Sequence, residues 1–176
     1  MTRFALLLVC ALPATIFGPS GQAQPPAAPS ACTAAVDLPP ALAGWAAPGA
    51  LKAAADVKRS ATARLTPGKA VAIRLLPTLK VVYPLRPEKP GGSVSYGGLT
   101  SFTIADEGIW RVALSSGAWV DVVKDGTASQ SVAHGRGPDC SGIRKMVDYR
   151  LTPGTYTLQI AANGSDALTL LVARLP

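Results

Sequence analysis

The sequence predicts an all-β domain, an antiparallel β-sandwich or jelly-roll-like fold of about nine strands. Short runs rich in Val, Ile, Thr, Tyr and Trp recur from residue 65 onward, separated by Gly, Pro, Asp and Asn. The runs at 108–115 and 155–161 alternate between apolar and other side chains, as strands with one buried face do. The predicted strands cover residues 70–76, 80–85, 99–104, 108–115, 118–124, 129–133, 144–150, 155–161 and 167–174.

The segments between these strands carry residues typical of tight turns. Residues 124–127 (KDGT) and 163–164 (NG) predict hairpin turns, because glycine adopts the positive φ that such turns need. The pentapeptide RLTPG occurs at residues 64–68 and again at 150–154, each time before a predicted strand. Proline followed by glycine fits the centre of a type II turn, so both copies are interpreted as corners between strands.

Residues 1–23 have the three-part pattern of a secretory signal peptide. Arg3 gives a positive start, residues 4–17 are almost wholly apolar, and Gly21 and Ala23 supply the small residues before a cut after Ala23. The apolar run is too short for a comfortable membrane span. We therefore predict a periplasmic or secreted protein without a transmembrane segment.

The remaining chain has the size of one ordinary domain. A Pro/Ala-rich linker at residues 24–31 precedes a single domain at residues 32–176. The domain is expected to begin with a short helical or irregular segment, in which the prolines of residues 36–45 start a helical turn and Trp45 docks as an anchor. The Ala-rich segment 51–63 fits a short helix or an edge segment.

The formal net charge is +7, and the excess of basic residues lies in the first half of the predicted mature chain. Residues 32–90 hold nine Lys and Arg against three acidic residues. This bias favours an anionic envelope surface or an acidic polymer as partner, and a solvated positive face is the alternative. Aromatic side chains are not interleaved with the basic residues, so we expect no nucleic-acid partner.

Cysteine usage agrees with export. Of the three cysteines, Cys10 belongs to the predicted signal peptide. The other two, Cys32 and Cys140, are expected to form a disulfide, because paired cysteines oxidise in an exported protein.

The stretch 131–151 concentrates the side chains that could carry chemistry. His134 is the single histidine of the chain, and with Asp139 and Cys140 it forms the set of candidate catalytic residues. In this hypothesis His134 is the base that generates a Cys140 thiolate. A facial iron site needs two histidines, and catalytic zinc normally takes three protein ligands in a spacing not found here, so we predict no metal and no cofactor. The sequence also lacks a GxSxG elbow and a P-loop.

Carbohydrate binding is a further functional interpretation, because exposed aromatic side chains on a β-sandwich can serve as ligand platforms. Trp110 alternates in phase with apolar residues and is expected in the core. Trp119 alternates in phase with Asp121, so it is the better candidate for exposure. The candidate ligand-binding residues are Tyr96, Trp119, Arg136 and Arg144.

The sequence resembles a family of small exported bacterial β-sandwich proteins in two segments, GGLTSFTIADEGIWRVALSSGAWVDVV and AHGRGPDCSGIRKMVDYRLTPGTYTLQI. The resemblance covers roughly residues 36–176 and is most specific at 134–145. Some members carry the label homogentisate 1,2-dioxygenase. The true dioxygenases of that name bind a catalytic iron through two histidines and a glutamate. This chain has one histidine, so the resemblance assigns no catalytic residue here. The ending PGTYTLQI is also similar to the last hairpin of bacterial pre-peptidase-type and carbohydrate-binding β-sandwiches, which supports the fold.

Two functional hypotheses follow. The first is a non-catalytic exported β-sandwich that binds an envelope ligand such as a polysaccharide, as a carbohydrate-binding module does, or a protein partner. The second is an enzyme that uses His134, Asp139 and Cys140.

Overall fold

The structure is a computed structural model that describes Cys32 and residues 36–176. Two packed β-sheets lie within residues 49–174. The first sheet has the spatial order β1 (Gly49–Lys52), β2 (Val71–Arg74), β11 (Ala167–Arg174), β5 (Gly108–Leu114), β9 (Lys145–Leu151) and β8 (Ser131–Gly135). The second has the order β3 (Leu76–Pro77), β4 (Tyr96–Ile104), β10 (Gly154–Asn163), β6 (Trp119–Lys124) and β7 (Thr127–Ala128). Neighbouring strands are antiparallel, except that β1 and β2 run parallel. The predicted all-β sandwich is confirmed.

The strand predictions agree with most of these elements, with ends that differ by a few residues. Segment 51–63 holds both predicted alternatives, because β1 is an edge strand and a single helical turn, α1 (Val57–Ser60), follows it. The predicted N-terminal helical turn is the 3₁₀ helix Pro40–Ala46. The predicted signal peptide at 1–23 and linker at 24–31 lie outside the described residues.

The strand predicted at residues 80–85 is wrong. A short 3₁₀ helix occupies Thr78–Lys80, and irregular backbone follows up to β4. The apolar side chains of Val81 and Tyr83 do not alternate across a sheet but pack on the outer face of the second sheet. Pro84 also lacks the backbone N–H that a central strand needs.

The main core lies between the two sheets, where alternate side chains of β5, β9, β11, β4, β10 and β6 meet. Phe102 and Tyr156 stack inside the second sheet's half of this core, with ring centroids 5.5 Å apart. Val120 and Val122 of β6 also point inward, which sends Trp119 and Asp121 to the opposite, outer face of the second sheet.

The outer face of the first sheet is covered by the 3₁₀ helix Pro40–Ala46. Leu42 and Trp45 pack on Ala113 and Leu171, which are small or apolar residues pointing away from the main core. The indole N–H of Trp45 donates to the backbone carbonyl of Ser141 at 3.0 Å, so Trp45 anchors the start of the domain as expected.

The predicted disulfide between Cys32 and Cys140 is present. Cys140 lies in the loop between β8 and β9 and has a positive φ of 61°. None of the helices in the described residues is long and apolar enough to cross a membrane.

The outer face of the second sheet is covered by the chain that precedes β4. The Tyr83 hydroxyl donates to the carbonyl oxygen of Ile160 at 2.9 Å, and burial raises the Tyr83 pKa to about 12. Gly97 permits this approach, because a Cβ on Gly97 would overlap the Tyr83 hydroxyl and lie 2.5 Å from the Ile160 oxygen.

We predict that Gly97→Ala lowers the free energy of unfolding by about 2 kcal/mol, because the added methyl group must displace Tyr83 or the backbone of β10. Gly92→Ala is the matched control, since a Cβ on Gly92 meets no atom of the described residues within 4 Å. Urea unfolding followed by circular dichroism measures both. Equal stability of the two variants would contradict the close packing at Gly97.

Candidate functional site

A cleft opens at the side of the sandwich, where the edge strand β8 and its neighbour β9 face β6 and β7 of the other sheet. Its volume is about 550 Å³. We call it the Trp119 cleft, after the aromatic side chain on its wall. Its charged and aromatic lining residues are Glu88, Lys89, Trp119, Asp121, His134, Lys145 and Tyr149.

The cleft forms here because β7 is too short to cover β6. Strand β7 pairs with only the last two residues of β6, so none of the strands among the described residues lies beside this edge of the β6 backbone near Trp119. Side chains from the other sheet replace that strand. Lys145 Nζ donates to the carbonyl oxygen of Ala118 at 2.8 Å, and the Tyr149 hydroxyl donates to that of Val120 at 3.3 Å. These contacts satisfy carbonyl groups that would otherwise be left without partners at a strand edge.

Hydrogen bonds fix the orientation of the Trp119 ring. The indole N–H of Trp119 donates to Asp121 Oδ1 at 2.9 Å, and the two residues lie side by side on the outer face of β6. Asp121 Oδ2 accepts a second hydrogen bond of 2.6 Å from the amide of Gln159, which is buried on β10. Trp119 itself is half-buried, whereas Trp110 is in the core. The carboxylate of Asp121 is therefore occupied in holding the ring in place.

The same buried amide holds the irregular chain before β4. Gln159 Nε2 also donates to the carbonyl oxygen of Leu85 at 3.2 Å. Two residues further along, Pro87 is buried, while Glu88 and Lys89 are exposed at the rim of the cleft. Gln159 thus binds both Asp121, which orients the Trp119 ring, and the segment that brings Glu88 and Lys89 to the cleft.

Two ammonium groups approach the Trp119 ring. Lys145 Nζ lies 5.3 Å and Lys89 Nζ 5.5 Å from the ring centroid, both within the range of cation–π attraction. Burial lowers the pKa of Lys145, and the nearby charge of Lys89 lowers this pKa further, while Asp121 opposes both effects. The cleft wall therefore combines an aromatic ring with two cations that repel each other.

The structure separates the candidate catalytic residues. His134, on the exposed strand β8, lines the Trp119 cleft. Asp139 and Cys140 line a smaller depression of about 200 Å³, together with Arg136 and Arg144. The sulfur of Cys140 is bonded to Cys32 and is not a thiolate. Among the described residues, no group of three or more His, Cys, Asp or Glu side chains is arranged to hold a metal ion.

The candidate ligand-binding residues also divide between surfaces. Trp119 alone of the four lines the cleft; Arg136 and Arg144 border the smaller depression, and Tyr96 packs against the edge of the main core. Lys145 and Asp121 line the cleft but are not among the candidate residues predicted from the sequence. The pattern Trp-x-Asp on one strand was a usable signal for Asp121, because residues two apart share a face. No comparable pattern pointed to Lys145, since its hydrogen bond to the carbonyl of Ala118 joins two different sheets.

The chain matches no protein-family model, and no curated protein is significantly similar to it. The resemblance to the small exported bacterial family stays a prediction. The Trp119 cleft is therefore the feature from which we infer a function.

We predict that the pKa of Tyr149 makes stability fall at high pH. Burial raises this pKa, with a further increase from the charge of Asp121. Below pH 10, the ordinary tyrosine pKa, the phenol is neutral in both states and the stabilisation is complete. Above pH 10 the unfolded state ionises first, so the free energy of unfolding drops by about 1.4 kcal/mol from this residue by pH 11.

The measurement compares wild type with Tyr149→Phe by urea unfolding at pH 8 and pH 11. The variant lacks the hydrogen bond to Val120 at both pH values, so the comparison uses only the change between them. Between pH 8 and pH 11, the free energy of unfolding of wild type should fall by about 1.4 kcal/mol more than that of the variant. An equal loss in both proteins would show that the Tyr149 phenol is not buried as described.

Proposed function

We propose that this protein is a non-catalytic, exported binding module of the cell envelope that holds a glycan in the Trp119 cleft. The observation that carries the proposal is the half-exposed Trp119 ring, fixed by Asp121 on the wall of a 550 Å³ cleft. A volume of this size falls within the range of small-molecule sites, which combine aromatic or apolar walls with a few polar groups.

The chemistry of the lining favours a sugar. A sugar ring presents C–H groups on one face and hydroxyl groups at its edge, which suits an aromatic surface surrounded by hydrogen-bonding side chains. Gln130, Ser131 and His134 line the cleft and are exposed, so their polar groups are accessible to hydroxyl groups. A cationic ligand is disfavoured because Lys89 and Lys145 already place positive charge against the ring.

The disulfide supports the exported part of the proposal. Disulfides persist in oxidising compartments such as the periplasm and the extracellular space, and are rare in the cytosol. The bond between Cys32 and Cys140 agrees with the predicted signal peptide at residues 1–23. It also removes the thiolate that the catalytic hypothesis requires, which favours binding over catalysis.

We predict that Trp119→Ala reduces glycan affinity at least tenfold, which corresponds to about 1.4 kcal/mol of lost contact with the ring. Wild type and variant are compared on a glycan array, and the binding constants of hits are then measured by calorimetry. Trp119→Phe should keep part of the affinity, because it keeps an aromatic face but loses the hydrogen bond to Asp121.

Leu79→Ala is the control, since Leu79 is 81% exposed and does not line the cleft. It should bind like wild type. Thermal unfolding of each variant confirms that the fold is intact. Background binding by wild type to every glycan would overturn the glycan proposal and favour a protein partner instead. Equal binding by wild type and Trp119→Ala would show that the cleft is not the site.

A further inference from the structure

The two lysines at the cleft come from different parts of the chain and meet at one ring. Lys89 belongs to the irregular segment before β4, and Lys145 is the first residue of β9. Both ammonium groups lie within 5.5 Å of the Trp119 ring centroid. Two like charges held at one ring repel each other, and the influence of Lys89 on the pKa of Lys145 has the direction expected from that repulsion.

The carboxylates of the cleft do not neutralise this pair directly. Asp121 uses one oxygen for Trp119 and the other for Gln159. Within the described residues, none of the ion pairs closer than 4.0 Å joins Lys89 or Lys145 to a carboxylate. Glu88 is exposed at the rim of the cleft and is, in the part of the chain that the structure describes, the one other carboxylate among its lining residues.

We infer that the ligand is an acidic glycan, whose negatively charged substituent binds between Lys89 and Lys145 while its sugar ring contacts Trp119. This inference rests on the proposed function and adds the chemical class of the ligand. An anionic group at that position would attract both ammonium groups and relieve their mutual repulsion. It would add to Asp121, whose charge already opposes the lowering of the Lys145 pKa.

The shared chemistry is a sugar that carries an anionic group, and two sources can supply it. A hexuronate offers a carboxylate on the ring itself, and a phosphorylated sugar offers a phosphate. Both present oxygen atoms that accept hydrogen bonds from lysine ammonium groups. The experiment therefore uses one ligand of each kind, together with a neutral ligand of matched shape.

The test titrates the purified protein with trigalacturonate, with the fully methyl-esterified trisaccharide, and with a pentamannosyl phosphate, using calorimetry at low ionic strength. The ester keeps the sugar rings and removes the charge. We expect at least one acidic ligand to bind at least tenfold more tightly than the ester. The difference should shrink at high salt, because salt screens exposed charges.

Lys89→Met is the decisive variant. Lys89 is exposed, and no hydrogen bond or ion pair of the described residues depends on it, so its replacement should leave the fold intact. The variant should lower the ratio of acid to ester affinity about threefold, half of the tenfold difference in free-energy terms, because Lys145 remains at the Trp119 ring. Lys69→Met removes the same charge from an exposed turn outside the cleft and should change neither affinity. Glu88→Gln should strengthen binding of the acidic ligand, because it removes a negative charge from the rim.

The outcomes distinguish this inference from the proposed function. If the acid and the ester bind equally, and Trp119→Ala abolishes both, the acidic-ligand inference is overturned while glycan binding stands. If Lys89→Met and Lys69→Met weaken acid binding to the same extent, a general basic surface replaces the two-lysine site, and the inference is overturned. If neither these ligands nor any array glycan binds to wild type, both proposals are overturned.

Discussion

The Trp119 cleft exists because the open edge of β6 has backbone carbonyl groups that need hydrogen-bond donors. Strand β7 pairs only with the end of β6, and the backbone carbonyls of Ala118 and Val120 therefore lie at an open sheet edge. Such groups need a hydrogen-bond partner, and an exposed edge also invites pairing with another chain. Lys145 and Tyr149, from the opposite sheet, supply the donors. One set of contacts thus protects the edge, ties the sheets together at their side, and forms the wall of the cleft.

The same constraint determines the electrostatics of the cleft. A lysine that reaches across to a backbone carbonyl brings a full positive charge to a place where a neutral strand would otherwise lie. Its charge is partly compensated by the Trp119 ring, and Asp121 lies close enough to oppose the lowering of the Lys145 pKa. Asp121 is also the acceptor for Trp119 and Gln159, so one carboxylate both orients the ring and faces the lysine charges. The positive charge beside the Trp119 ring therefore comes from Lys89 and Lys145, while Asp121 and Glu88 carry the negative charge of the same cleft lining.

The sequence predicts the fold better than the site, and the reason is the range of the interactions. Alternation in β5 and β10 is a local pattern, and the inward faces follow from it directly. The prediction of a strand at residues 80–85 was wrong because its apolar residues pack on the outside of a sheet. The segment has the composition of a strand but pairs with no neighbouring strand among the described residues. Trp119 could be selected as an exposed aromatic because Asp121 shares its face. Lys145 and Tyr149 reach the cleft through contacts between sheets, and no spacing in the sequence encodes them.

Part of each broad face of the sandwich is covered by another segment of the chain, and a ligand cannot bind there without displacing it. The 3₁₀ helix Pro40–Ala46 packs over the first sheet, where Ala113 leaves space for it, and the chain around Tyr83 packs over the second, where Gly97 leaves space. Replacing either cover with a ligand would expose apolar side chains such as Leu42 to water, at a cost of about 25 cal/mol for each Å². Binding at the open side beside β6 exposes no such apolar side chains to water, because the polar groups there already face solvent across the cleft. A ligand that enters there displaces water from Trp119 and leaves the packing of both faces intact.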